Sequence, residues 1–134
     1  IIGGGSVGLE TAELLAAAGK QVTVLEMMDT MAAKMVNVTR TIVLGHLKGY
    51  GAPLLTPCRC QEITDHSVIY QDKAGTVHEI PADTVVIAIG DRPDPSLYEA
   101  LEGKVPEFYN VGDSNGAGVI AKAVNQGYYC GLRI

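Results

Sequence analysis

Apolar and polar positions alternate in three distinct rhythms along this chain, and each rhythm predicts a different element. Ile1-Ile2 is a short apolar stretch that runs into a glycine-rich turn, Gly3-Gly4-Gly5-Ser6-Val7-Gly8. An apolar run with helical spacing follows over residues 7–18, which puts Val7, Leu14, Leu15 and Ala18 near one face. Gly19 is the natural stop, because glycine accepts the left-handed backbone that ends a helix. Val22-Thr23-Val24-Leu25 is a short buried strand ending at Glu26. Residues 27–36 break the pattern and predict a loop. Asn37 or Thr39 can cap a second helix over residues 39–48, which Gly49 and Gly51 end. Leu54-Leu55-Thr56 is a third short strand.

The period then shortens. Residues 59–64, 67–72 and 76–80 predict short strands separated by Asp65-His66 and by Asp72-Lys73-Ala74-Gly75, an antiparallel meander. Thr84 to Ile89 is continuously apolar, the pattern of a strand buried on both faces of a parallel sheet, and Gly90 ends it. A loop over residues 91–95, a short helix over 97–101, a strand over 108–111 and a turn over 112–116 follow. A last helix starts near Gly118 and runs to Gly127 or beyond. Strand–helix–strand alternation followed by a meander is an α/β arrangement with a mainly parallel sheet.

Composition narrows the chemistry. The 134 residues carry 10 Lys and Arg against 15 Asp and Glu, a net charge of -5, with no basic run. Nucleic acid is therefore excluded as a partner, since affinity for its backbone comes from Lys and Arg. No apolar run reaches the roughly 18 residues of a membrane span. Cys58, Cys60 and Cys130 are too few and too uneven for a disulfide framework and fit a reducing cytoplasm. The chain opens on Ile1-Ile2-Gly3, the end of a strand already under way. It therefore reads as a piece of a longer protein, cut at or inside its first strand.

Gly3, Gly5 and Gly8 stand at the spacing G-x-G-x-x-G. By itself this spacing is weak, because a chain with 16 glycines meets it by chance. Here a strand precedes it, a helix starts inside it, and the next strand ends in an acid, Glu26, 18 residues past Gly8. Gly3 allows the tight turn, Gly5 lets backbone approach a pyrophosphate, and Gly8 lets helix and strand pack closely. The helix N-terminus turns unpaired N–H groups toward the phosphates. Glu26 can accept the adenosine ribose hydroxyls and would repel a 2′-phosphate, and no Arg stands in the next four positions. NAD(H) is thus expected over NADP(H). Glu10, placed in the first turn of the helix, suits the helix dipole or the cofactor.

Three stretches together carry a family resemblance: Ile2-Gly3-Gly4-Gly5-Ser6-Val7-Gly8-Leu9-Glu10, then Asp83 to Pro93, then Tyr109-Asn110-Val111-Gly112-Asp113. They resemble the pyridine-nucleotide-binding domain of the two-dinucleotide flavoprotein reductases, the glutathione-reductase-like fold of the pyridine nucleotide-disulfide oxidoreductases. With Val22 to Met27 and Gly103 to Glu107 added, the chain is most similar to the C-terminal region of NADH:flavin oxidoreductases of the old-yellow-enzyme type, which include 2,4-dienoyl-CoA and enoate reductases. The resemblance implies a Rossmann-like parallel sheet flanked by helices, with an antiparallel β-meander. It implies an NAD(H)-binding domain over residues 1–104 and a segment over 105–134 that returns to an FAD-binding domain whose other half is absent.

Carried over residue by residue, Gly3, Gly5, Ser6, Val7 and Gly8 would line the NAD pyrophosphate, Glu26 would hold the ribose, and Met27 would touch the adenosine. Gly90 would lie near the nicotinamide, and Asp113 would bind FAD. The longer protein would pass hydride from NADH to FAD, and onward through an iron–sulfur cluster and FMN to an activated C=C bond. Ser114 departs from branch members that have Cys after the Gly-Asp pair. No residue in the chain is a convincing acid, base or nucleophile. The alternatives are the NAD domain of a disulfide reductase or NADH oxidase, and a nucleotide-binding module without redox chemistry.

Smaller signals carry less. Cys58 and Cys60 share a strand face, but two thiolates are not a structural zinc site, and His46, His66 and His78 are scattered. No metal is expected. Tyr128-Tyr129 is expected to pack on a part of the longer protein, and its exposure in the fragment gives two copies a surface on which to dimerise.

Overall fold

A computed structural model describes all 134 residues, which form two compact units, Ile1–Gly90 and Asp91–Ile134. The first unit is a three-layer α/β arrangement. Its elements are α1 (Ser6–Ala17), β1 (Val24–Leu25), α2 (Asn37–Gly49), β2 (Leu54–Leu55) and the meander strands β3 (Cys58–Ile63), β4 (Ser67–Asp72) and β5 (Val77–Pro81). β1 pairs in parallel with β2, and Ile2 bridges in parallel to both Leu25 and Ile87. The sheet order is therefore β2, β1, Ile2, Ile87, with all four segments running the same way.

The pleat sorts neighbouring residues to opposite faces. Ile1, Val24 and Leu54 join the cluster under the helices, with Leu9, Ala12, Ala16, Val43 and Leu47. Ile2, Leu25 and Leu55 join the cluster under the meander, with Cys58, Val68 and Tyr70. The meander is antiparallel in the order β3-β4-β5. The Rossmann-like sheet with a meander is thus present as the sequence predicts.

Three expectations for the first unit need correction. The buried face of α1 is Gly8, Leu9, Ala12 and Ala16, while Val7 and Leu14 are 69% and 71% exposed. The small residues win the inner face because they let the helix backbone approach the sheet, and the bulkier Val7 and Leu14 turn outward. Thr84 to Ile89 is not buried on both faces: it contributes a single bridge at Ile87, and Ile87 and Ile89 are 61% and 72% exposed. This segment lies at the edge of the sheet, where helix packing ends. Glu10 is the fifth residue of α1 and lies beyond its first turn.

The second unit contains α3 (Ser96–Leu101), a 3-10 turn (Gly112–Asn115) and α4 (Ile120–Gly131). Residues 108–111, predicted as a strand, form no ladder. Phe108 instead stacks on Tyr98 with ring centroids 4.5 Å apart, and a lone extended segment without a neighbouring strand has nothing to pair with. No residue of this unit is buried. Ile120, Val124, Tyr128, Tyr129 and Leu132 all stand exposed on or beside α4.

The meander holds a polar cluster with a pH signature. Asp72 Oδ2 lies 2.8 Å from Nε2 of His78, and its Oδ1 accepts the Thr76 and Ala74 amides at 2.9 Å each. The His78 hydrogen bond first, and these amides after it, hold the Asp72 carboxyl below the ordinary carboxylate range. A depressed folded-state value stabilises the fold above the unfolded value of about 3.9, and the contribution fades as pH falls through the folded value. Asp72→Asn is therefore expected to lower the urea midpoint at neutral pH, with the gap to wild type closing below about pH 4. A gap that stays constant from pH 7 to pH 2.5 would refute the assignment.

Candidate functional site

The glycine turn is built by three different constraints. Gly3 has φ +107°, and a Cβ there would lie 2.3 Å from the Ala88 carbonyl oxygen. The strand carrying Ala88 lies alongside, with the Ala88 amide donating to Ile2 O at 2.8 Å. A Cβ on Gly8 would lie 1.9 Å from the Gly3 carbonyl oxygen. Gly5 differs from both: a Cβ there would meet nothing within 4 Å. Gly5 is also the N-cap of α1, with φ −75° and ψ −173° and no side-chain cap. The amides of Ser6, Val7 and Gly8 are the first of the helix, and they have no intrahelical acceptor. Two glycines thus exist for packing, and one leaves open space before a row of free donors. That is a cradle for an anionic group.

Glu26 follows β1 directly, beside this cradle. Its Oε2 accepts the Gly4 amide at 2.7 Å and its Oε1 accepts the Met28 amide at 2.7 Å. A carboxylate has about four acceptor positions, so two remain for hydroxyl donors. The carboxylate therefore ties the glycine turn to the loop after β1. Met27 is exposed immediately after it. Gly90, with φ +93°, follows the Ile87 segment at the C-terminal end of the sheet, and space is open around it. The turn residues, Glu26, Met27 and Gly90 are all in the first unit.

In the second unit, Asp113 sits in the 3-10 turn. Its Oδ1 accepts the Gly118 amide at 3.2 Å, just ahead of α4, and Gly112 donates to Gln126 Oε1 at 2.7 Å. The turn is thereby fixed to α4, with Asp113 exposed.

Cys58 is buried, and burial first and the nearby Asp72 second push its thiol up. That opposes the thiolate a metal requires. No three His, Cys, Asp or Glu side chains gather in a metal-binding group. No helix is long and apolar enough to cross a membrane.

Sequence reasoning expects Met31 to pack the core or a neighbouring domain, and the core holds it, but nothing in the sequence places it or Ala32 behind the cradle. Met31 and Ala32 are 5% and 4% exposed. A Cβ on Gly4 would lie 2.3 Å from Met31 Sδ, and the Ala32 amide donates to Gly4 O at 2.6 Å. Residues 27–36 are mostly apolar, with four methionines, but the run carries no periodic signal that would have placed Ala32 against Gly4.

Comparison with known proteins identifies the family and the fold. The profile of a family described as pyridine nucleotide-disulphide oxidoreductase matches residues 1–127. The chain is 42% identical over 129 residues to a bilirubin reductase of Mediterraneibacter gnavus, covering 96% of this chain and 20% of that protein. It is 34% identical over 135 residues to an NADH oxidase of Thermoanaerobacter brockii, covering 100% of this chain and 21% of that one. A solved 2-naphthoyl-CoA reductase superposes with a TM-score of 0.87 at 31% identity, over 99% of this chain and 20% of the other. The chain thus spans about a fifth of the length of these relatives.

Proposed function

The chain belongs to the pyridine nucleotide-disulphide oxidoreductase family, and from that premise we propose that it is the NADH-binding part of a flavin-dependent oxidoreductase. The observation that carries this reading is the contrast within the glycine turn. Gly3 and Gly8 are closed against backbone, and Gly5 opens onto the unpaired amides of α1. A pyrophosphate fits that opening, lined by Gly3, Gly5, Ser6, Val7 and Gly8. Glu26 takes the adenosine ribose hydroxyls, Met27 lies on the adenosine, and Gly90 lies toward the nicotinamide.

The NAD(H)-binding domain in this reading is residues 1–104, and residues 105–134 return to an FAD-binding domain, with Asp113 on the FAD. The absence of any buried residue in the unit Asp91–Ile134 supports a segment that is completed by other parts of a longer protein. Bound nicotinamide and flavin supply the hydride chemistry, and the residues here bind and orient. Likeness to a bilirubin reductase and a 2-naphthoyl-CoA reductase supports onward reduction of an organic acceptor, which this reading takes to be an activated C=C bond, reached in the longer protein through FMN and an iron–sulfur cluster. Likeness to an NADH oxidase over the whole chain supports a second reading, in which the acceptor is oxygen. Three free cysteines support a reducing, cytoplasmic setting.

Titration calorimetry with NADH, NADPH and ADP-ribose tests the proposal. NADH and ADP-ribose are expected to saturate, with NADPH weaker by about tenfold or more, on the order of one unfavourable charge contact. A folded protein that binds none of the three would overturn the reading. Equal affinity for NADH and NADPH would remove the role given to Glu26.

A further inference from the structure

We propose that Arg40, on α2, is a positioning residue for the pyridine nucleotide. It sets the glycine turn from behind, through Met31 and Ala32, without touching the ligand. This rests on the nucleotide site proposed above.

Arg40 Nε donates to the Met31 carbonyl at 2.8 Å, from a half-buried position nine residues away in sequence. Met31 packs its sulfur onto Gly4, on the side where a Cβ would lie 2.3 Å from Sδ. Glu26 Cβ crowds the same position at 3.0 Å. Both backbone polar groups of Gly4 are also held: its amide by Glu26 Oε2, and its carbonyl by the Ala32 amide. Gly4 is therefore held at its amide, its carbonyl and its Cβ direction by residues 26–32, and the residue after it is Gly5, which opens the cradle.

Ala32 shows that this grip is maintained against a local preference. Its φ of +48° is the one left-handed backbone conformation at a residue other than glycine. Such conformations persist only where surrounding contacts over-determine them. Two bonds flank the strained peptide: Met35 donates its amide to Ala32 O at 2.9 Å, and Arg40 holds the carbonyl just before it. Without the guanidinium, the Met31–Ala32 peptide is free to rotate toward an ordinary conformation. Rotation lifts both the methionine sulfur and the Ala32 amide from Gly4. The bond is charge-assisted and partly shielded, the kind whose removal is felt.

The other side of Arg40 lines an open cleft of about 660 Å³ between α2 and the outer edge of β2. Truncating it therefore opens no buried cavity. This separates a positioning role from a packing role.

The test uses Arg40→Met and Arg40→Lys in the protein, with ADP-ribose as the probe. Arg40→Met is expected to speed hydrogen exchange at the Gly4 and Ala32 amides and to weaken ADP-ribose and NADH by the same factor. That factor is about tenfold, the scale of one charge-assisted bond. The protein should stay folded, with the melting temperature lowered only by the few degrees that one lost hydrogen bond costs a chain of this size. Arg40→Lys can still donate to Met31 O and should recover most of both losses. Unchanged exchange at Gly4 and Ala32 would overturn the proposal, as would a loss of binding that follows a general loss of stability and that lysine does not rescue. The exchange measurement needs no ligand. If the wild type itself bound no ADP-ribose, the nucleotide reading would fail on its own, while exchange would still decide whether Arg40 sets the turn.

Discussion

Alanine at Gly8 is expected to unfold the first unit's helix–sheet contact, whereas alanine at Gly5 is expected to leave the fold intact and cost only the ligand. The two positions stand three residues apart in the same motif and differ in what a methyl group would meet. At Gly8 the added carbon would lie 1.9 Å from the Gly3 carbonyl oxygen and 3.0 Å from its carbon. The obstacle is backbone, so no rotamer change relieves it. Either α1 lifts away from the Ile2 strand or Gly3 moves. Gly3 cannot move freely, because its own pro-Cβ direction is closed by Ala88 O at 2.3 Å. Overpacking of this kind costs about 3 kcal/mol, a large share of the roughly 5–15 kcal/mol that holds a domain together.

At Gly5 the φ of −75° is open to any L-residue, and space around the new methyl is free. The stability change should stay within about 1 kcal/mol, the difference between Gly and Ala at an N-cap. The methyl would stand before the amides of Ser6, Val7 and Gly8, where a pyrophosphate must approach. NADH affinity should fall on the order of tenfold or more, about 1.4 kcal/mol per decade. Urea unfolding followed by calorimetric titration of the two variants separates the cases. A Gly8→Ala protein with wild-type stability would break the packing argument, and a Gly5→Ala protein with wild-type affinity would break the cradle.

Much of this was legible in the sequence because it rests on short-range rules. The strand–turn–helix around Gly3 to Gly8, the meander from Cys58 to Pro81 and the acid at the end of β1 follow from period, spacing and turn residues. What stayed hidden depends on residues brought together from afar. Which face of α1 turns inward is decided by how closely Gly8 and Ala12 let the helix approach the sheet. Hydrophobicity alone favours Val7 and Leu14. The exposure of Ile87 and Ile89 depends on what lies beyond the sheet edge, which an apolar run of Thr84 to Ile89 cannot reveal. Residues 108–111 have a strand's composition, but a strand exists only with a partner. Arg40 and Ala32 could not have been singled out at all, since one acts across nine residues and the other through a backbone angle that alanine rarely adopts.

Exchanging Glu26 for arginine is expected to abolish tight NADH binding without creating an NADPH site of comparable strength. If Glu26 served only to repel a 2′-phosphate, the charge reversal would swap one preference for the other. The structure gives the carboxylate a second task. It accepts the Gly4 and Met28 amides, each at 2.7 Å, and arginine has no acceptor to offer either. Hydrogen bonds to a charged group contribute about 1.5–3 kcal/mol each, so losing both removes about 3–6 kcal/mol of support from the turn that receives the pyrophosphate. NADH and NADPH share that pyrophosphate. A new guanidinium facing the 2′-phosphate would thus be added to a cradle that no longer holds its shape. NADH affinity should fall on the order of a hundredfold or more, with NADPH remaining weaker than wild-type NADH. Glu26→Gln divides the two tasks differently. It removes the charge and keeps one acceptor, so only one of the two amides stays held. Its NADH affinity should fall between wild type and arginine, and discrimination against NADPH should narrow. Exchange rates at the Gly4 and Met28 amides, measured beside the affinities, identify the cause. Rapid exchange at both amides in Glu26→Arg, with both nucleotides weak, ties the acid to the shape of the turn. Slow exchange with a clean reversal to NADPH would reduce Glu26 to a charge filter and leave the turn to be held by Met31 and Ala32 alone.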